Sequence, residues 1–101
     1  MKPKKAAKRT SPKSRNVVVE IPLPDGWMSM HVGRLVRRTK ETIVLTDATW
    51  VASTGRRHLF FAGTPDENCE VEPFPDGVEI ELPAAGAVVT AWPHPHLRVA
   101  R

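Results

Sequence analysis

No stretch of residues 16–101 repeats apolar side chains at i, i+3, i+4 and i+7 over a helical length, whereas short β-branched runs separated by turn chemistry recur throughout. A chain patterned this way can bury its apolar surface only by forming a sheet. The expected fold class is all-β: a small antiparallel sheet, arranged as a sandwich or a partly open barrel, with a disordered basic N-terminal tail. At 101 residues the chain supports one domain, and its core is small enough that oligomerisation is a reasonable way to bury more surface.

The expected strands follow from this pattern. Val17-Val18-Val19-Glu20-Ile21 is a β-branched run ended by Pro22 and Pro24, which cannot donate to a ladder. Pro24-Asp25-Gly26 supplies a turn, since proline presets φ, aspartate bonds its own backbone and glycine accepts positive φ. A second strand alternates Met28, Met30 and Val32 against Trp27, Ser29 and His31, with Gly33 marking a bulge or a close backbone approach. Leu35-Val36 continue it to Arg37-Arg38. A tip at Thr39-Lys40 would set Arg38 opposite Glu41 and Val36 opposite Ile43, pairing with a strand over Thr42–Thr46. Asp47–Ala52 is assigned to a further short strand. His58–Ala62 is also assigned to a strand, with one helical turn as the alternative, and Thr64–Pro75 to an acidic loop. After a second Pro-Asp-Gly turn at residues 75–77, Val78–Leu82 alternates apolar and acidic residues, and Ala87–Trp92 is expected to pair with it across Pro83-Ala84-Ala85-Gly86.

Charge divides the chain more sharply than the net +4 suggests. Lys2, Lys4, Lys5, Lys8, Arg9, Lys13 and Arg15 precede the first carboxylate, so residues 1–15 carry +7 and the remainder −3. That opening segment has no aliphatic side chain larger than alanine beyond Met1 and cannot offset its ordering entropy by burial. The domain plan is therefore a disordered basic tail over 1–15, a β-domain over 16–93 and a C-terminal extension over 94–101.

Seven cations on one segment suit a phosphate backbone, where neutralisation releases counterions and affinity falls steeply with salt. The tail residues are accordingly the candidate nucleic-acid or polyanion contacts. A solubilising tail without a fixed partner is the competing reading, and a third has the tail lying against the acidic 66–81 region of its own or a neighbouring subunit. Without interleaved aromatics the tail is not suited to stacking on bases. In the body, Arg34, Arg38, Arg56 and Arg57 are candidates for an anion pocket at a sheet edge or subunit interface, against the ordinary reading of a solvated sheet face. At least two of Trp27, Trp50 and Trp92 should be core or interface anchors, and an exposed one beside arginines would suggest stacking on a nucleobase.

Enzymatic chemistry finds little purchase. His94-Pro95-His96 has ligand spacing and Cys69 is the single cysteine, but there is no clear third ligand or cysteine pair, so no metal and no cofactor are expected. Neither a nucleophile elbow nor a phosphate-cradling glycine motif occurs. Asp47 is read as an Asx turn ending a strand rather than as a base. One cysteine favours a reducing compartment, and no apolar run is long enough to span a bilayer, so a soluble protein without a membrane partner is expected.

The order V-G-x-L-x-x-R, a polar turn, E-x-I-V-L-T-D-A and then a tryptophan, carried by Val32, Gly33, Leu35, Arg38, Glu41, Val44, Leu45, Thr46, Asp47, Ala48 and Trp50, resembles a family of small phage-encoded proteins of unknown function. A looser match runs through Val78–Leu82 and the strand before Trp92, so the resemblance covers roughly residues 30–92. The chain departs from the pattern where Thr49-Trp50 replace a basic pair, and the basic tail is an addition. The resemblance implies a phage or prophage origin and a compact β-sheet fold, and it transfers no functional residue. The expected function is a non-enzymatic, homo-oligomeric accessory protein whose tail touches nucleic acid or another polyanion, in the bacterial host cytoplasm or the virion. A virion structural protein in contact with other virion proteins, and a host-takeover protein sequestering a nucleotide signal, are the alternatives.

Overall fold

The computed structural model describes residues 15–95 and 97, so the tail from Met1 to Ser14 lies outside the described residues. The body is all-β. One antiparallel sheet of six strands runs β1 (Asn16–Pro22), β2 (Met28–Arg38), β3 (Thr42–Thr54), β4 (Cys69–Pro73), β5 (Glu79–Pro83) and β6 (Val88–Ala91), with one helical turn, α1 (Arg57–Phe61), between β3 and β4. The spatial order is β4-β3-β2-β1-β6, and β5 pairs with the first half of β3 while β4 pairs with its second half.

β1 organises the molecule because Val17, Val18, Val19 and Ile21 are buried on both of its faces. A strand without a polar face belongs inside a sheet, with its backbone groups paired on either side. β2 takes one edge and β6 the other. This corrects the expected pairing of residues 87–92 with the strand over 78–82: β6 completes β1, and β5 joins β3 instead.

The side chains of β1 then sort into two cores. Val18 joins Met30, Val32, Val51, Phe60, Cys69, Val71 and Trp92 on one face, while Val17, Val19 and Ile21 join Leu35, Ile43, Leu45 and Ala48 on the other. Each such aliphatic side chain contributes about 1.5–3 kcal/mol on burial. The second core is closed by Ile80, Leu82, Ala87 and Val89 from β5, β6 and their connection. That connection, Ala84–Ala87, spans at most about 17 Å of chain, whereas four strand spacings of a flat sheet would separate β5 from β6 by about 19 Å. The sheet therefore curls around the second core without closing into a barrel. Within this link the Ala84 N–H bonds Glu41 O at 3.0 Å, and Gly86 leaves space for a Cβ only 3.1 Å from Pro22 Cγ. The tip of the β2–β3 hairpin and the end of β1 are thus drawn to the same place.

Two bulges provide the bend. Register shifts separate Val32 from Arg34 and Leu35 from Arg37, the first with Gly33 opposite Asp47 and Ala48. A Cβ on Gly33 would sit 3.0 Å from Ala48 Cα, so the expected bulge and the expected close approach both occur here. Asp47 takes φ 51°, the left-handed position of such a bulge. The strand consequently continues through Asp47 to Thr54, which corrects the expected break and Asx-turn ending there. The hairpin register also differs: Arg38 faces Ile43, placing the tip at Lys40-Glu41, because the Thr39 side chain accepts the Glu41 and Thr42 N–H groups.

Residues 57–61 form a helical turn rather than a strand. Gly55 (φ 65°) leaves β3 where a Cβ would collide with the Asp66 carboxylate, which accepts the Arg56 and Asn68 N–H groups. The turn drives Phe60 into the first core, 5.0 Å from the Trp92 ring. The expected acidic loop contains β4, whose Cys69 and Val71 are buried while Glu70 and Glu72 face outward. The described part of the C-terminal extension packs back onto the body. The Trp92 indole donates to Pro95 O, a His94 ring N–H donates to Phe61 O at 2.8 Å, and Leu97 packs against the first core.

Candidate polyanion interface

Of the tail cations, Lys2, Lys4, Lys5, Lys8, Arg9 and Lys13 lie outside the described residues, and Arg15 marks where the chain joins the sheet. Its carbonyl accepts the Leu35 N–H at 2.9 Å, so Arg15 is placed alongside β2 between Arg34 and the Arg37-Arg38 pair. Arg15, Arg37, Arg38 and Lys40 are exposed, and among the described residues none of them forms an ion pair. The tail thus leaves the body next to a run of available cations on β2 and its hairpin.

The four arginines considered for an anion pocket are differently engaged. Arg34 pairs with Asp47 at 3.3 Å and borders a depression that also contains Glu79. Arg57 reaches Glu20 at 3.1 Å and lies over the Phe61 ring at 5.0 Å. Arg56 borders a second depression with Asp66 and Glu67, and Arg38 stands at the hairpin end. Within one chain these side chains are not gathered around one cavity, and each of the two depressions contains a carboxylate.

Three features escaped sequence reasoning. Glu20 is a carboxylate inside an apolar run, and that isolation was the available signal that it needs a cationic partner from elsewhere in the chain, which is Arg57. His31 packs near Phe74 with ring centroids 6.2 Å apart, and its Nδ1 is buried without a hydrogen-bond partner among the described residues. Burial holds its pKa below the ordinary 6.5 by disfavouring the charged form. Trp50 is 41% exposed and faces Glu72 across the β3–β4 pair, with Pro73, Phe74 and Pro75 forming a groove beside it. Trp92 is the core tryptophan, whereas Trp27 is 73% exposed and neighbours no arginine in sequence. Trp50 neighbours carboxylates rather than arginines, so its setting favours cations over nucleobases.

No group of three or more His, Cys, Asp or Glu side chains among the described residues is placed to hold a metal ion. No helix among them is long and apolar enough to cross a membrane. The fold defines a small all-β protein built on one curled sheet. No family model, curated protein or solved structure matches the chain.

Proposed function

We propose that this is a non-enzymatic, phage-type accessory protein, a homo-oligomeric β-body whose N-terminal cations contact nucleic acid or another polyanion. The observation that carries this reading is the exit of the chain at Arg15 beside Arg37, Arg38 and Lys40, which form no ion pair among the described residues. A segment with seven cations is thereby followed by further exposed cations at the same end of the folded body, on both faces of β2 and at its hairpin tip, which add phosphate contacts to those of the tail. The phage-type element rests on the residue pattern of the β2–β3 hairpin, and the oligomeric element on the exposed Leu23, Trp27 and Met28 at the β1–β2 turn. Sequestration of a nucleotide in an arginine pocket has less support, since Arg34 and Arg57 already pair with Asp47 and Glu20.

The test is fluorescence anisotropy with labelled duplex DNA. Replacing Lys2, Lys4, Lys5, Lys8, Arg9, Lys13 and Arg15 by Gln should remove most of the binding, and replacing Arg37 and Arg38 should weaken it further. Unchanged affinity in the first variant would refute the reading.

A further inference from the structure

The groove beside Trp50 has no role in the polyanion contact, and its chemistry is opposite in sign. On the outer face of the β3–β4 pair, Trp50 lies between a groove of about 260 Å³ walled by Pro73, Phe74 and Pro75 and a second of about 390 Å³ bordered by Ala52 and Glu70, with Glu72 common to both. An accessible indole face flanked by carboxylates binds an ammonium or guanidinium group through the ring quadrupole and the negative charge together. β4 is also an edge strand, so an extended segment can run beside it.

We infer that this groove is the docking place of the chain's own N-terminal basic segment, residues 2–13, in cis. Three arguments select this occupant. Charge is complementary, since the segment carries six cations and no carboxylate. Spacing matches, since Lys2 and Lys4 are two residues apart, and on an extended chain they project to one side, as Glu70 and Glu72 do on β4. Length suffices as well. Arg15 sits beside Leu35, and Trp50 pairs with His31, so about four residues along β2 and two strand spacings separate the chain exit from the groove, roughly 16 Å. The residues from Lys4 to Arg15 reach about 36 Å when extended. Tethering sets the local concentration of the segment in the millimolar range, so an individually weak contact is populated.

The inference shares the segment with the proposed polyanion contact but does not rest on it. If both hold, the groove competes with the polyanion and must be vacated when one binds. The test uses the full chain without nucleic acid, so the two claims fail separately. Amide and indole NMR spectra of the wild type and of a K2Q/K4Q/K5Q variant are compared at about 50 mM salt. The expected differences outside the tail lie at the Trp50 indole N–H and the amides of residues 70–74. They should vanish at about 500 mM salt, should not depend on protein concentration, and should be absent when the tail substitutions are added to an E70Q/E72Q background. Identical spectra outside the tail would overturn the inference. So would differences spread equally over Glu79 and Glu81, or differences that fade on dilution, which would assign the segment to a neighbouring copy.

Discussion

Glu20 and Arg57, 37 residues apart in the chain, meet through both carboxylate oxygens at 3.1 and 3.3 Å. Glu20 is buried on β1, and Arg57 arrives from α1, so the pair fastens this helical turn over the first core. Arg57→Ala should destabilise the fold by about 1–2 kcal/mol, because it strands a buried carboxylate, with the half-exposed arginine keeping the effect below that of a fully buried pair. Adding Glu20→Val should restore most of this, since valine fits the apolar run of β1. Urea denaturation of the two single variants and the double variant measures the coupling.

Gly33 supports the bend of the β2–β3 hairpin. A Cβ there would lie 3.0 Å from Ala48 Cα and 3.2 Å from Thr46 O, both backbone atoms that move only with the bulge. Gly33→Ala should therefore cost about 1–3 kcal/mol and lower the cooperativity of closure around Leu35, Ile43 and Leu45. Thermal unfolding and hydrogen exchange of those residues report it.

His31 gives the fold a pH dependence of defined sign. Its folded pKa is held below 6.5 by burial, so below that pH the unfolded chain binds more protons than the folded one. The stabilising effect of a neutral His31 is complete above 6.5 and is lost as pH falls from there through the folded value. Between about pH 7.5 and 5.5 the wild type should lose more unfolding free energy than His31→Gln, measured by denaturant titration at each pH.

Trp27, Met28 and Leu23 form the most exposed apolar group on the turn between β1 and β2. If the protein is a homo-oligomer through this end, sedimentation of the wild type should show an oligomer and Trp27→Ser a monomer with unchanged circular dichroism. An oligomer unaffected by the substitution would move the contact elsewhere.

How much of this was legible in the sequence depended on whether local pattern or distant partners decided the outcome. The all-β class, the start of β2 and the bulge at Gly33 follow from period-two alternation and glycine, and the structure has them. β4 was hidden in an acidic segment although Cys69, Val71 and Pro73 alternate with Glu70 and Glu72 there, the same signal that revealed β5. α1 is five residues long, too short for a 3.6-residue stripe, and only packing against Trp92 in the first core decides that Phe60 turns inward. The pairing of β6 with β1 needed the curl of the whole sheet. At the candidate interface the cations were visible, but not their partners, because Asp47 and Glu20 find Arg34 and Arg57 only through register and docking.

The central claim is that the N-terminal cations make the polyanion contact, and the salt dependence of duplex DNA binding tests it most directly. With seven cations neutralising phosphates, log affinity should fall against log salt with a slope of about −6, and Gln replacement of those seven should bring the slope close to that of the few cations on β2. A slope and affinity that remain unchanged after the replacement, or binding that is insensitive to salt, would contradict it.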